Sequence, residues 1–379
     1  PRMYRVRQQF DETRLEDVAG TVRAELAKPE IRALVKPGMR IAVGVGSRGI
    51  QNFYTIVETT VNSLKELGAE PFIVSAMGSH GGGTEEGQRE VLAGYGITEE
   101  RLGVPVVTTV DTVYLGNCAN GRPVWFDRAA YEADLIVPIN RVKLHTDFVG
   151  PIQSGLCKML VIGLGNHKGC SAVHEEAPEV FADAIEETAR LILQKAPVGF
   201  GIAILENAYD KTYDVEAVPA EHLVEREKEL VQIAKGNMPY IMLDEADVII
   251  CGAIGKDISG AGFDPNILGR SSVLKQFVLH IPRYQRLVLC DVTPASHGNG
   301  IGVGLFDVIT KKVAEQLDLE SMYANAIACN CLGDASVPCT VDDEETAIRV
   351  ALKCCRNIDR DHPRIIRIQN ALHLGEIEV

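Results

Sequence analysis

The sequence predicts an α/β protein built mainly on parallel strands. Two observations carry that reading. Apolar runs rich in Val and Ile alternate with amphipathic stretches along the whole chain. Several of those runs end in glycine-rich segments, as strands do when they feed into helices across a short loop. A polar, helix-prone stretch between about 219 and 238 (AEHLVEREKELVQIAKGN) then separates two such series, which places a domain boundary near 240.

Taken in order, MRIAVGV (39–45) is a strand, followed by a helix over roughly 50–67 that Gly68 closes. PFIVSAM (71–77) is the next strand and TEEGQREVLAGYG (84–96) the next helix. VPVVTTV and ADLIVPIN (133–140) continue the strand series, and EVFADAIEETARLILQKA (179–196) has helical periodicity before the strand GFGIAILEN. Residues 1–238 form an N-terminal domain in this reading, and 239–365 a second α/β domain. The second contains strands EADVIICGAIG (245–255) and RLVLCDVT (286–293) and a helix over 305–318. The tail, about 366–379, completes two strand-like runs and is long enough to return to the first domain's sheet.

Composition narrows the function classes. Of 379 residues, 46% are hydrophobic and 24% charged, the balance of a chain with a substantial core. A net charge of −14 argues against nucleic-acid or anionic-membrane partners, so local cations that meet an anionic ligand should stand out. No apolar run is long enough to span a bilayer, and PRMYRVRQQF lacks the features of a signal peptide. The ten cysteines include no CxxC pair, which excludes zinc-ribbon and thioredoxin readings and fits reduced thiols in the cytoplasm.

The glycine loops hold the candidate chemistry. GVGSRG (44–49) lies between a strand and a helix, where backbone N–H groups attract anions. The nicotinamide reading needs an acid at the end of the next strand, but that strand ends SAMGSHGGG. Arg48 favours a carboxylate instead, because a guanidinium can grip one with two parallel hydrogen bonds. GSHGGGT (78–84) brings His80 to the same carboxyl rim, and KLHTDFVGP (143–151) brings His145, with Asp147 either orienting its ring or serving as a turn residue. Two histidines on one rim suit acid–base work. Lys256 in GAIGKDISGAG (252–262) and His297 in ASHGNGIGVG (295–304) are further loop candidates, each equally readable as solvated. SGLCKMLVIGLGNHKGCSAVH (154–174) reads as an apolar loop carrying misplaced polar groups, Lys158, His167, Lys168 and His174.

Together these motifs resemble the nickel-pincer-nucleotide lactate racemase family and its 2-hydroxyacid racemase and epimerase relatives. The matching elements are GSRG (46–49), GSHGGGT (78–84), KLH (143–145), SGLCK (154–158) with His174 sixteen residues later, and GKD (255–257). The resemblance implies two α/β domains around a central cleft and an isomerase that inverts a 2-hydroxy acid by reversible hydride transfer to a lysine-tethered nickel-pincer nucleotide. Carried over, Lys158 is the covalent tether, His174 the protein ligand to nickel, and His80 and His145 the general bases. Arg48 and Lys256 grip the substrate carboxylate, and Gly46, Ser47, Gly163 and Gly165 lie against the cofactor. The implied partners are a small 2-hydroxy carboxylate and, transiently, the proteins that make the cofactor. The departures are Gly49 where the family has proline, a wider His145-to-Lys158 gap, Ala253 and Ile254 where an amide is expected, and no tryptophan besides Trp125. They cluster where substrate would be read. The alternatives are a nicotinamide dehydrogenase using GVGSRG and a homologue that binds the nickel cofactor without turnover.

Overall fold

The computed structural model describes residues 2–46 and 49–379, Ala328 by its backbone alone. The chain forms two α/β units, Glu12–Asn237 and a second made from the residues up to Asp11 together with Met238–Val379. Among the described residues the strands are β1 (Arg5–Arg7), β2 (Arg40–Val45), β3 (Glu70–Ser75), β4 (Val106–Val107), β5 (Thr112–Asn117), β6 (Pro123–Asp127), β7 (Leu135–Arg141), β8 (Phe200–Glu206) and β9 (Thr212–Pro219). The later ones are β10 (Val248–Cys251), β11 (Arg286–Leu289), β12 (Val308–Thr310), β13 (Cys339–Val341), β14 (Ile365–Ile368) and β15 (Glu376–Glu378).

The unit Glu12–Asn237 is built on a sheet of order β4-β3-β2-β7-β8-β9, parallel except for the β8–β9 pair. β2 shows why its sequence is a near-continuous apolar run. Ile41, Val43 and Val45 enter the core that also holds Phe53, Ile56, Val57, Val61 and Leu64 of the helix Phe53–Glu66. Ala42, between them on the opposite face, is buried as well, so both faces of the strand are covered. Strand order reverses at β2. β3 and β4 follow on one side, whereas β7 and β8 lie on the other. Ligands of open parallel sheets bind beyond the carboxyl ends of strands at such a reversal, here between β2 and β7.

The second unit has the order β1-β15-β14-β10-β11-β12-β13, with β14 to β13 parallel and β15 antiparallel to both β14 and β1. Two expectations are corrected here. The tail does not return to the first sheet: Ile365–Ile368 pairs in parallel with Val248–Cys251, leaving Glu376–Glu378 to pair with Arg5–Arg7. It is the N-terminus that crosses between the units. The expected helix over 305–318 is a strand and then a helix. Val308–Thr310 pairs with both β11 and β13, and Thr310 then caps the helix Lys311–Gln316 by accepting from Val313 N at 3.3 Å. Among the described residues no helix is long and apolar enough to cross a membrane.

Candidate active site

The loop leaving β7 is pinched closed by Lys143 and Ser154, whose backbones exchange hydrogen bonds of 2.8 and 3.1 Å. Inside it lies Gln153, a buried amide with no apparent role in the sequence. Its Oε1 accepts from His145 N at 2.7 Å, and its Nε2 donates to Gly150 O at 3.1 Å. The loop is thereby folded around His145. The imidazole stacks on Phe148 with centroids 4.3 Å apart, and its Nδ1 accepts from the backbone N–H of Asp147 at 3.1 Å. The Asp147 carboxylate stands 3.9 Å from Nδ1, so the main chain of Asp147, rather than its carboxylate, makes the orienting hydrogen bond.

The segment 154–174 is not a loop. Leu156–Lys158 opens as α-helix, Met159–Gly163 widens into a π turn, and Asn166–His174 resumes the α-helix. Such widened turns are often found at functional sites. Lys158 is half-buried between the buried Leu156, Cys157, Met159 and Leu160, and its Nζ meets His145 Nε2 at 2.5 Å. Asn166 enters the second helical piece with φ of +51°, held by Asp127, whose Oδ2 accepts from Asn166 Nδ2 at 2.8 Å. Burial pushes Asp127 up to about 6.

At the end of that piece the His174 Nδ1 donates to Cys170 O at 2.7 Å, which directs the Nε2 lone pair elsewhere. The Cys170 side chain beside Nδ1 also raises the His174 pKa. Burial pushes the Cys170 thiol up, but contacts with His174 and Ser79 outweigh it and leave Cys170 below its ordinary value. An aromatic row joins the two histidines: His145 on Phe148, Phe148 on Phe181 at 4.8 Å, and Phe181 against His174 at 5.2 Å.

Two further side chains fix the turn that presents Lys158, and neither was singled out from the sequence. Asn140, at the end of β7, donates from Nδ2 to Gly155 O at 2.7 Å. Glu227, from the helix Leu223–Gly236, is fully buried and accepts from Cys157 N at 2.8 Å. Its carboxyl carbon lies 2.6 Å from where a Gly155 side chain would begin, so position 155 has no room for one. Burial pushes Glu227 up to about 7, against the backbone N–H groups of Cys157 and Leu156 that favour its charge. The folded state therefore prefers the protonated acid. This contribution to stability is complete below the unfolded value near 4.5 and is lost as pH rises through about 7. Urea unfolding of Glu227→Gln is expected to show a loss of stability from pH 4 to 8 that is smaller than wild type's by about 3 kcal/mol. An equal loss in both proteins would show that Glu227 does not titrate in this range.

The remaining expected site residues divide by location. Ser47 and Arg48 lie outside the described residues. Gly46 leaves β2 close to this group, where an added Cβ would stand 3.1 Å from Met159 Cε. His80 is exposed at the start of the short 3-10 turn Gly81–Gly83. Its loop is fastened to the helical segment by Gly78 N to Gly163 O at 3.0 Å and by Ser79 Oγ, 3.9 Å from Cys170 Sγ. Gly163 and Gly165 both press on the protein's own backbone. A Cβ on Gly163 would fall 2.7 Å from Ala76 O, and one on Gly165 would fall 2.2 Å from Val161 O. The close approach of backbone is by itself enough to require glycine at both positions.

His167 and Lys168 are exposed, and Lys168 Nζ lies 4.8 Å over the Trp125 ring. Lys256 belongs to the other unit. It follows β10, and its Nζ donates to Gly260 O at 2.6 Å and to Asn325 Oδ1. Its backbone N donates to Ser296 Oγ at 2.9 Å. His297, in the neighbouring loop, is exposed with φ of +47°.

The deciding observation comes from comparison with known proteins. Residues 4–183, which include His80, His145, Lys158 and His174, match the lactate racemase N-terminal domain. This segment belongs to that domain family. The fold agrees over nearly the whole chain with the lactate racemase apoprotein of Thermoanaerobacterium thermosaccharolyticum. That match has a TM-score of 0.57 at 14% identity and covers 97% of this chain and 94% of the other. A structural-genomics protein from Thermotoga maritima matches at a TM-score of 0.54 and 13% identity, covering 93% of this chain and 96% of that one. At these identities the likeness is one of fold. No curated protein matches the chain. The lactate racemase N-terminal domain thus supplies His145, Lys158 and His174, and the contacts above gather them within one unit.

Proposed function

We propose that the protein is an isomerase, a racemase or epimerase of a 2-hydroxy carboxylic acid, working with a nickel-pincer nucleotide attached to Lys158. The observation that carries this reading is the grouping of Lys158, His145 and His174. Lys158 touches His145, and the aromatic row through Phe148 and Phe181 leads on to His174.

The residues fit such a group. Lys158 projects from a helical turn fixed by Asn140 and Glu227, in apolar surroundings where an acylated lysine has no charge to bury. The Nδ1 hydrogen bond of His174 to Cys170 O leaves Nε2 to ligate the metal, and a neutral imidazole suits nickel. When bound, the group supplies a reversible acceptor for the hydrogen on the substrate's carbinol carbon.

The protein then has two tasks. Proton transfer at the substrate hydroxyl falls to His145 and His80, one taking the proton and the other returning one for the opposite enantiomer. With Nδ1 accepting from Asp147 N, a neutral His145 carries its ring proton on Nε2, which makes it the returning group in the resting state. Carboxylate binding falls to Arg48. The reaction belongs in the cytoplasm, where thiols such as Cys170 stay reduced.

Chiral chromatography tests the reading. Protein produced together with the cofactor-making enzymes is incubated with single enantiomers of a panel of 2-hydroxy acids. Conversion of at least one toward both configurations is expected. Tight NADH binding with net oxidation of the acid would point instead to a dehydrogenase, and cofactor uptake without any inversion would point to a carrier.

A further inference from the structure

The contact between Lys158 and His145 bears on the state of the lysine before any cofactor is attached. We infer that His145 holds Lys158 as an unprotonated amine, so that this side chain is an acyl-accepting nucleophile in the cofactor-less protein. The inference rests on the reading of Lys158 as the tether and concerns how that tether is prepared.

A neutral imidazole carries one N–H and one lone pair. Here the lone pair is on Nδ1, because the backbone N–H of Asp147, which is always a donor, points at it from 3.1 Å. The ring proton is therefore on Nε2, facing Lys158 Nζ. An ammonium has only N–H bonds to present and would oppose donor to donor. A neutral amine has the lone pair that this contact requires. A doubly protonated ring would set its Nδ1–H against the Asp147 N–H and lose this hydrogen bond.

Several charged groups face the pair. The Asp147 carboxylate stands 3.9 Å from Nδ1, outside hydrogen-bonding distance. His174 interacts electrostatically with Lys158, and positive charge on either one disfavours it on the other. Glu227 meets the backbone N–H of Cys157, and its buried carboxyl gains charge as pH rises through about 7. Leu156 and Met159 are buried on either side and withhold the water that an ammonium needs.

The reaction so prepared is simple acyl transfer. The Nζ lone pair forms a C–N bond to an activated acyl carbon, the group displaced leaves with its electron pair, and one Nζ proton passes to solvent. The chemical class of partner is an activated acyl compound, such as an acyl phosphate, a thioester or an activated ester.

Substoichiometric N-acetoxysuccinimide, applied to the cofactor-less protein from pH 6 to 9 with peptide mass mapping, tests this directly. An ordinary exposed lysine loses about a hundredfold in acetylation rate between pH 9 and 7, as its neutral fraction falls; Lys195 and Lys353, both exposed, are the reference sites in the same digest. Lys158 is expected to lose less than about tenfold, and His145→Gln, whose amide oxygen accepts from an ammonium, to restore the steep dependence. The wild-type profile needs no substitution. A hundredfold loss at Lys158 would overturn the inference, and so would a shallow profile that persists in His145→Gln. The tether is judged by a separate result. A shallow profile at Lys158, with no cofactor adduct there after co-production, would remove the tether and leave the amine assignment standing.

Discussion

Enantiomer interconversion by cofactor-loaded protein is expected to fall by about 10² to 10⁴ when His145 becomes alanine, the range that a positioned proton-transfer group contributes. The fold should survive the change. His145 is half-buried, and the loop that presents it keeps the Lys143–Ser154 pairing and the hydrogen bonds of Gln153 to the backbone at 145 and 150. What the variant loses is the Nε2 proton next to Lys158 and the ring stacked on Phe148. In the proposed mechanism His80 and His145 serve opposite enantiomers, so the two directions need not slow equally at the start of the reaction. Initial rates from each pure enantiomer, compared between His145→Ala and His80→Ala, measure this. Loss of less than fivefold in both variants would take proton transfer away from these histidines.

His174→Ala is expected to separate the metal from its carrier. The variant should hold less than about a tenth as much nickel per chain as wild type while Lys158 keeps its organic adduct, since even indirect supports of a metal ligand alter affinity by 10- to 100-fold. Cys170→Ala, which retains the carbonyl that receives the Nδ1 proton, should keep its nickel. Metal analysis of purified protein beside its intact mass distinguishes the two. Full nickel occupancy in His174→Ala would assign the ligand to another residue.

Much of the frame was legible because strands buried on both faces leave unbroken apolar runs, and helices packed on one face leave periodic ones. β2, β3, β7 and β8 and the helices Phe53–Glu66 and Phe181–Lys195 are of this kind. Short elements were less legible. Val308–Thr310 has three residues and merges with the helix after it, and nothing local tells a tail strand which sheet will accept it. The 154–174 segment looked like a loop because its glycines interrupt the pattern. They are tolerated because the turns around them press on neighbouring backbone, as at Gly163 and Ala76.

The chemically distinctive candidates, Lys158, His145 and His174, stood out by type and order. Their supports did not. Glu227 lies in a helix of otherwise ordinary charge pattern, and only the fold shows that its carboxyl turns inward to the Cys157 N–H. Gln153, Asn140 and Asp127 are single polar residues whose partners are distant or set by the turn of the chain, as with Asp127 and Asn166.

The central claim is a cofactor joined to one lysine. Peptide mapping by mass spectrometry of protein produced together with the cofactor-making enzymes reads that bond directly. The account predicts a single nucleotide-sized adduct on the peptide carrying Lys158, absent from Lys158→Ala along with activity. Active wild-type protein with an unmodified Lys158, or a Lys158→Ala variant that still interconverts enantiomers, would contradict it.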